Sequence, residues 1–351
     1  MARNVAVVRE HVEQICVAPV DSRTLRLRLL SEIGRVVPFD AYAWVLTDPE
    51  TTVGCAPLAD VPTPTELPRL IRLRYLTALN RWTTLSDPGV GLLYEATDGD
   101  LSRSLVWREL LAHHAVSDVA SVVFRDQYGC WAFLELWRTG GAMFDDADAA
   151  VLRDVVSPVT TALRRAQART FARTPPRDRP RSGPLVLLLS PDLDVMRQTP
   201  GTQDPLRLLV PRDDDGPPVP AAAYNVAAQL LALEAGVDGN RPWARIHLAE
   251  GLWVTVRAAR MDDGPERSDR DIAVTIEAST PAERVSLFAR CFALSDREAA
   301  LLGHLAAGRD TREVAGRMHL SALTVQDHLK SIFTRTGTHS RRTLLARALG
   351  G

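Results

Sequence analysis

The residues of this chain with the most specific chemistry lie near its carboxyl end, between Thr324 and Arg335. One set is apolar and recurs at i, i+4, i+7 and i+8, the spacing of a single helix face: Val325, Leu329, Ile332 and Phe333. The side chains between them carry hydroxyl, amide, carboxylate, imidazole and basic groups: Thr324, Gln326, Asp327, His328, Lys330, Ser331 and Arg335. Amides and carboxylates can hydrogen-bond to base edges in a DNA major groove, and basic groups can pair with phosphates. The pattern predicts a helix with one buried face and one face suited to DNA.

Local signals place this helix as the third in a small helical domain. Ser295 can cap a first helix, and Gly308 can end it in the left-handed backbone conformation. A second helix is predicted over Thr311–Met318, Ser321 can cap the third, and a fourth is predicted over Ser340–Leu349. The apolar residues expected to pack the first two helices are Leu301, Leu302, Leu305, Val314, Ala315 and Met318.

The segment from Leu294 to Leu349 resembles the LuxR-type helix-turn-helix domain over its whole length. The resemblance is carried by Leu294, Arg297, Glu298, Leu302, Leu305, Gly308, Glu313, Val314, Ala315, Leu320, Ser321, Thr324, Val325, His328, Leu329, Thr336, Gly337 and Arg341. It implies an all-α four-helix domain of a transcriptional regulator whose partner is double-stranded DNA. It also implies that Thr324, Gln326, His328 and Lys330 lie on the recognition helix, with Thr311 and Arg312 beside phosphate.

One departure from the family pattern bears on the target sequence. Many relatives carry Lys after the Thr-Val pair, where this chain has Gln326 and Asp327. Gln can read adenine and Asp can accept from cytosine N4, but Asp also repels phosphate. The operator of other family members therefore does not carry over. The full candidate DNA-binding set is Arg309, Thr311, Arg312, Ser321, Thr324, Gln326, Asp327, His328, Lys330, Ser331, Arg335 and Arg341.

Charge is distributed unevenly along the 351 residues. Residues 281–351 contain eleven Arg or Lys against six Asp or Glu, whereas the preceding residues contain 31 basic and 37 acidic groups. Positive charge is thus concentrated where a polyanion would bind. The four cysteines have neither metal-ligand nor disulfide-framework spacing, and no signal-like or membrane-length apolar run is present. A cytoplasmic protein without membrane association is expected.

The rest of the chain predicts a multidomain protein with two α+β sensor domains ahead of the helical domain. The expected divisions are an N-terminal helix at 1–20, a GAF-like domain at 21–172, a linker rich in Pro and Arg at 173–183, a PAS-like domain at 184–280 and the LuxR-type domain at 285–351. The GAF and PAS resemblances rest on the order of predicted elements rather than on a motif.

The GAF-like order consists of predicted helices at Asp21–Arg35, Glu66–Leu79 and Ser102–His113, strands at Ala41–Leu46 and Thr51–Ala56, a hairpin of Asp118–Phe124 and Cys130–Trp137, and a long helix from Asp145. The PAS-like order consists of predicted strands at Leu185–Leu189, Asp194–Arg197, Ala244–Leu248, Trp253–Ala259 and Ile272–Glu277, a surface loop at Pro211–Pro220 and a helix at Ala221–Glu234.

Aromatic residues of the GAF-like region are candidates for a small-molecule effector pocket: Tyr42, Trp44, Trp107, Trp131 and Trp137. Filling the core is the commoner role of aromatic residues in strands. His113 and His114 have no further ligand at a suitable spacing, so no metal site is expected, and no cofactor is implied.

We therefore predict a regulator that acts as a homodimer under the control of an effector or partner, with RNA polymerase as a candidate contact. Two apolar stripes could form pairing surfaces, one of Val5, Val8, Val12 and Ile15, the other of Leu344, Leu345, Ala348 and Leu349. Two alternatives stay open. One is an adaptor that uses the helix-turn-helix for protein assembly, and the other is an enzyme with an unrecognised site in residues 21–280, although no standard nucleophile, phosphate-loop or zinc motif and no catalytic residue is identified.

Overall fold

The structure is a computed structural model that describes residues 2–62, 64–172, 185–200, 221–248, 251–261 and 271–350. The linker expected at 173–183 and the loop expected at 211–220 lie outside the described residues. The chain divides into two compact units. The first unit consists of residues 1–163, 182–246 and 255–277, and the second of residues 164–181, 247–254 and 278–351.

The first part of the first unit is a five-stranded antiparallel sheet with helices before and after it. Its elements are α1 (Ala2–Val17), α2 (Ser22–Gly34), β1 (Ala41–Thr47), β2 (Gly54–Asp60), α3 (Leu67–Leu76), β3 (Val90–Leu92), α4 (Leu93–Ala96), α5 (Leu105–Glu109), β4 (Val116–Asp126), β5 (Gly129–Thr139) and α6 (Asp146–Arg169). Its strand order is β2-β1-β5-β4-β3. We call it sheet A. The β4–β5 hairpin is the predicted one, extended at both ends, and it turns at Gly129, where a Cβ atom would lie 2.3 Å from the Pro49 carbonyl oxygen.

The predicted strand at Thr51–Ala56 is wrong in position, since β2 begins only at Gly54. The Asp48 carboxylate accepts hydrogen bonds from the backbone N–H groups of Glu50 at 2.9 Å and Thr51 at 3.3 Å, which holds these residues in a turn. Thr52 lies in the left-handed region at φ +60°, so the chain becomes extended only after it.

The predicted helix at Ser102–His113 is also wrong in extent. Only α5 is α-helical, between 3-10 turns at Leu101–Arg103 and Leu111–His114. Leu110 leaves helical backbone angles at φ −139°, and both Leu110 and Leu111 are buried in the core. Burial of these two adjacent leucines takes precedence over the helical spacing of apolar residues in the sequence, so the predicted helix is interrupted at Leu110.

The second part of the first unit is another five-stranded sheet, which we call sheet B. Its elements are β6 (Leu185–Leu189), β7 (Val195–Gln198), α7 (Ala221–Glu234), β8 (Trp243–His247), β9 (Trp253–Arg260) and β10 (Ile272–Ala278). The order is β7-β6-β10-β9-β8. Numbered from its own first strand, each sheet therefore has the order 2-1-5-4-3. The predicted fold class, two α+β regions ahead of a helical domain, is confirmed.

Two ion pairs with buried arginines join the two parts of the first unit. Arg245 donates from Nε and Nη2 to the two carboxylate oxygens of Asp48 at 2.7 and 2.9 Å, and both side chains are within 1% of full burial. Burial alone would raise the pKa of Asp48, but Arg245 outweighs it and lowers that pKa. In the second pair, Arg81 Nε donates to Asp238 Oδ2 at 2.9 Å. The sheet A part is thus tied to the sheet B part by charge as well as by apolar contact.

The second unit contains α8 (Pro281–Cys291), α9 (Asp296–Ala306), α10 (Thr311–Met318), α11 (Ala322–Thr336) and α12 (Arg341–Leu349). It also contains Phe171 and Trp253, whose rings stack with centroids 5.3 Å apart. Helix α8 begins with a Thr280 capping box, so the boundary expected at 285 falls inside this helix. Arg284 donates to the Gly251 carbonyl oxygen at 2.9 Å, and burial lowers its pKa to about 10.

Candidate nucleic-acid interface

Side-chain caps and a turn residue in the left-handed region fix the ends of helices α9, α10 and α11. Ser295 and Asp310 each form a capping box, pairing with Glu298 and Glu313, at the starts of α9 and α10. Ser321 Oγ accepts from the Thr324 backbone N–H at 3.0 Å and caps α11. The turn between α10 and α11 passes through the left-handed region at His319, φ +54°. These caps fix the geometry of the two helices that form the motif.

The predicted buried face of α11 is confirmed. Val325 and Ile332 are fully buried and Leu329 is 6% exposed, while Phe333 is only partly buried. They pack in the same unit as the buried residues of the two preceding helices: Leu301, Leu302, Leu305, Val314 and Ala315. Met318, which was expected in this core, is only partly buried.

The exposed face of α11 is formed by Leu323, Gln326, Asp327 and Lys330. These residues stand at i, i+3, i+4 and i+7, which places them on one side of the helix. We call them the recognition face. Leu323 is 71% exposed and was missed from the sequence, because a leucine is ordinarily assigned to the core. Asp327 Oδ1 lies 3.5 Å from Lys330 Nζ, with the two side chains 64% and 76% exposed, so solvent screens their attraction.

Two predicted DNA contacts form hydrogen bonds within the domain, although the side chain of Arg335 stays exposed. Ser331 Oγ donates to Glu298 Oε1 at 2.5 Å, and Arg335 Nη1 donates to the Ala293 carbonyl oxygen at 3.1 Å. Burial of Glu298 would raise its pKa, but hydrogen bonds from Ser331 and Ser295 outweigh that effect and lower the pKa of this carboxyl. Ser331 therefore joins α11 to α9 and is not available on the recognition face.

Two further candidates flank the recognition face. Thr324 Oγ1 lies 2.8 Å from Ser321 Oγ and is partly buried, as is His328. Both side chains therefore border the exposed side of α11.

Basic candidates gather around the start of α10. The Arg309 guanidinium contacts His304 Nδ1, and Arg341 Nη2 donates to the Arg309 carbonyl oxygen. Burial, together with the nearby charge of Arg309, lowers the pKa of His304 and favours the neutral ring that accepts this hydrogen bond. Arg312 is exposed in the first turn of α10, and Thr311 is partly buried there. Arg309 and Arg341 are thus held together beside the first turn of α10.

The two apolar stripes offered for pairing are largely covered within the chain. On α12, Leu344 and Ala348 are fully buried, which leaves Leu345 and Leu349 partly exposed. On α1, Val8 and Val12 are buried, and this helix packs on α2. The side chain of Val5 lies outside the described residues.

The five aromatic residues proposed for an effector pocket do not converge. Trp44 stacks on Phe124 on one face of sheet A, while Trp137 lines a cavity on the other face. The other three, Tyr42, Trp107 and Trp131, do not line that cavity, and the indole N–H groups of Trp107 and Trp131 donate to Val116 and Asp126. Of the five, Trp137 lines this cavity.

Metal binding and thiol chemistry are the other kinds of reactivity that side chains in the described part of the chain could support. It contains no cluster of three or more His, Cys, Asp or Glu residues placed to hold a metal ion. Burial raises the pKa of the Cys16 and Cys55 thiols to about 12 and also raises that of Cys130, which favours the unreactive thiol form. No described helix has the length and apolar character needed to cross a membrane.

A short supporting helix, a tight turn and a longer helix with an exposed polar face define a helix-turn-helix DNA-binding domain. Residues 293–348 match the family model of bacterial regulatory proteins of the luxR family, GerE. The chain therefore carries a LuxR-type helix-turn-helix domain, the DNA-binding part of a transcription regulator. Among solved structures, the chain is similar to bacteriophytochrome RpBphP3 from the photosynthetic bacterium R. palustris, at 12% identity over 88% of this chain and 75% of that one, with a TM-score of 0.32. No curated protein sequence matches the chain.

Proposed function

We propose that this protein regulates transcription by reading operator DNA with the recognition face of α11. The observation that carries the proposal is that Leu323, Gln326, Asp327 and Lys330 form one exposed helix face, within a domain that matches the luxR family. A recognition helix presents its N-terminal residues to base edges, and Leu323, Gln326 and Asp327 lie in the first half of α11.

Each residue of the recognition face has a distinct proposed role. Gln326 pairs with adenine through its amide, and Asp327 accepts from cytosine N4. Leu323 contacts the methyl group of a thymine, because an exposed apolar side chain finds its apolar partner in the major groove there. Lys330 lies one turn further along and pairs with phosphate.

The backbone of DNA is held by a second group of residues. Arg309, Arg312 and Arg341 supply positive charge around the first turn of α10, where Thr311 also lies. Thr324, His328 and Ser321 border the groove-facing residues. Ser331 acts within the domain through Glu298 and is left out of the proposed DNA-binding set, whereas Arg335, which is exposed, remains a proposed phosphate contact.

The regulator works in this proposal as a homodimer on half-sites about 10 bp apart, the spacing typical of helix-turn-helix dimers. Its pairing surface includes the part of α12 around Leu345 and Leu349 that the domain does not bury. Binding takes place in the cytoplasm, where a bacterial chromosome lies. The first unit supplies the control by an effector, and RNA polymerase is the partner through which a bound regulator acts.

Genome-wide mapping of bound sites tests this function in the cell. The full chain and a Gln326→Ala/Lys330→Ala variant are compared with a Thr334→Ala control, which changes an exposed residue one turn beyond Lys330, toward the C-terminal end of the same helix and away from the end that enters the groove. We expect the control to occupy the wild-type sites, and the double variant to lose them at equal protein abundance. Retention of the same sites by the double variant contradicts the proposal.

A further inference from the structure

A cavity of about 390 Å³ lies on one face of sheet A in the first unit. Val45 and Phe133 contribute from the sheet, and Leu70 from α3. Ala221 and Asn225 contribute from α7, which belongs to the sheet B part of the chain. A volume of this size is within the range of small-molecule sites, roughly 300 to 1,000 Å³. The cavity is therefore large enough for an organic ligand, and α7 is part of its wall.

The inner end of the cavity carries polar groups whose hydrogen bonds are incomplete. Trp137 is 1% exposed, and its indole N–H has no hydrogen-bond partner among the described residues. An adjoining space of about 20 Å³ shares Trp137 with the cavity, and it is bordered by the hydroxyls of Ser104 and Ser121, which have no hydrogen-bond partner in the described part of the chain. Buried donors are nearly always satisfied by protein, water or ligand, so this end calls for an added acceptor.

The charges around the cavity select against an anion. Arg74 and Glu135 form a buried ion pair at the inner end, with side chains 10% and 7% exposed, so their charges cancel. Asp60 stands at the outer end beside Ala59 and Pro64, all three exposed, which marks this end as the entrance. A carboxylate entering there passes Asp60, loses its hydration and meets Glu135 without a free cation.

We propose that this cavity binds a neutral, mostly apolar small molecule whose hydrogen-bond acceptor meets the indole N–H of Trp137. Because Ala221 and Asn225 contribute to the wall, an occupied cavity stabilises α7 against sheet A. The inference names the ligand class for the effector control proposed above, and it depends on that proposal only for the step from ligand to DNA.

Titration of the full chain with 6-propionyl-2-dimethylaminonaphthalene tests the ligand class. This probe is neutral and apolar, has one ketone acceptor, and shifts its emission to the blue when buried. The matched probe is 6-dimethylamino-2-naphthoate, in which a carboxylate replaces the ketone. We expect saturable binding of the ketone and binding of the carboxylate at least about tenfold weaker. Absence of saturation, or equal affinity for the two probes, overturns the proposal.

Two tryptophans of sheet A form a matched pair for the anchoring group. Trp137 and Trp44 are both buried, and within the described ranges neither indole N–H has a hydrogen-bond partner, but of the two Trp137 alone lines the cavity. We expect Trp137→Phe to weaken ketone binding about fivefold, the loss of one hydrogen bond, while Trp44→Phe leaves it unchanged. Equal effects of the two substitutions overturn the assignment of Trp137.

A variant at the entrance keeps the test independent of core packing. Ala59→Trp adds a bulky side chain at an exposed position and should abolish ketone binding while the chain stays folded, as checked by circular dichroism. Full ketone binding by this variant contradicts the location of the binding site.

Hydrogen exchange tests whether α7 forms part of the cavity wall. Saturating ketone should slow exchange of amides 221–234, and unchanged exchange there overturns the role of α7. These assays contain no DNA, so their failure is separate from a failure of operator binding.

Discussion

One ion pair of the first unit and one of the second differ sharply in exposure. In the first unit, the side chains of Asp48 and Arg245 are within 1% of full burial, and Asp48 accepts two hydrogen bonds from the Arg245 guanidinium and one from its backbone N–H. In the second unit, Asp327 and Lys330 are more than half exposed and lie 3.5 Å apart. A buried pair becomes an uncompensated charge when one partner is removed, whereas a screened pair contributes little to stability. The first pair therefore fixes packing, and the second leaves both charges available to DNA.

The polar groups that could bind a ligand differ in the same way: one is buried beside the cavity and the other is exposed on the recognition face. Around the cavity, the indole N–H of Trp137 is buried and unpartnered among the described residues. On the recognition face, Gln326 is exposed and its amide is satisfied by water until a base replaces it. The buried site suits a small neutral molecule, while the exposed face, set in a segment of net positive charge, suits a polyanion.

The largest effect is expected from breaking the buried ion pair. Asp48→Ala leaves Arg245 charged and without its main partner, which should cost about 3 to 5 kcal/mol in the free energy of unfolding of the first unit. Denaturant unfolding followed by tryptophan fluorescence measures it, because all tryptophans except Trp253 lie in that unit. Asp327→Ala is the control and should change stability by less than about 0.5 kcal/mol. Similar losses in the free energy of unfolding for the two variants would contradict the contrast drawn between the buried and the exposed ion pair.

The next largest effect concerns base reading by the recognition face. Gln326→Ala should cost about 1 to 3 kcal/mol on the preferred operator and little on unrelated duplex DNA, since only the preferred site has the matching base. Binding is measured with the full chain at fixed salt concentration. Thr334→Ala, exposed on the same helix, should bind as wild type. An equal loss on both duplexes would assign Gln326 to phosphate.

The exposed ion pair predicts two opposite changes in nonspecific binding. Lys330→Ala should weaken binding to all sequences alike and reduce the slope of log affinity against log salt by about 1, because one phosphate contact is lost. Asp327→Ala removes a charge that repels phosphate, so nonspecific binding should rise while binding to the preferred site falls. A rise on every sequence, the preferred site included, would show that Asp327 only repels the backbone.

The smallest effect on DNA reading is expected at Ser331. Ser331→Ala removes a hydrogen bond to Glu298, which should cost about 1 to 2 kcal/mol of stability in the second unit and leave base preference unchanged. Hydrogen exchange of α9 and α11 measures the loss, and selection on random DNA measures the preference. A changed preference would return Ser331 to the DNA-binding set.

The same bond predicts a pH dependence. Folding lowers the pKa of Glu298 below its ordinary 4.5, so its stabilisation is complete above that value and is lost as pH falls through the lower, folded-state pKa. Without the Ser331 hydroxyl the shift is smaller, so α9 protection should depend less on pH in this acidic range. An unchanged pH dependence in Ser331→Ala contradicts the role given to this bond.

Much of the second unit could be predicted from local chemistry. Ser295, Gly308 and Ser321 fix helix ends by bonds within a few residues, and Val325 and Leu329 show the buried face by their spacing. Leu323 was missed although helical geometry predicts its exposure. It lies about 200° around the helix axis from the buried Val325, on the opposite side of α11. The bond between Ser331 and Glu298 joins residues 33 positions apart and leaves no local pattern.

The cavity was harder to predict because it depends on strand pairing. Residues directly opposite in an antiparallel pair share a face. Trp44 pairs with Leu134 and faces away from the cavity, while Trp137 pairs with Ala41 on the cavity side. Alternation of side chains along β5 predicts that Trp137 and its sequence neighbours lie on opposite faces of the sheet. Whether Trp137 and Trp44 share a face depends on the register between β5 and β1, which the sequence does not show. The contribution of α7 comes from a helix more than 80 residues later and has no signal in the sequence.

Selection from a randomised operator library decides whether the exposed face of α11 reads base sequence. The full-length wild type, Gln326→Ala, Asp327→Ala and Ser331→Ala are each selected at the same salt concentration and sequenced. We expect Gln326→Ala to lose base preference at one position and Asp327→Ala at an adjacent one, while Ser331→Ala selects the wild-type sequence. Unchanged preference in both recognition-face variants, with DNA binding retained, would contradict this expectation.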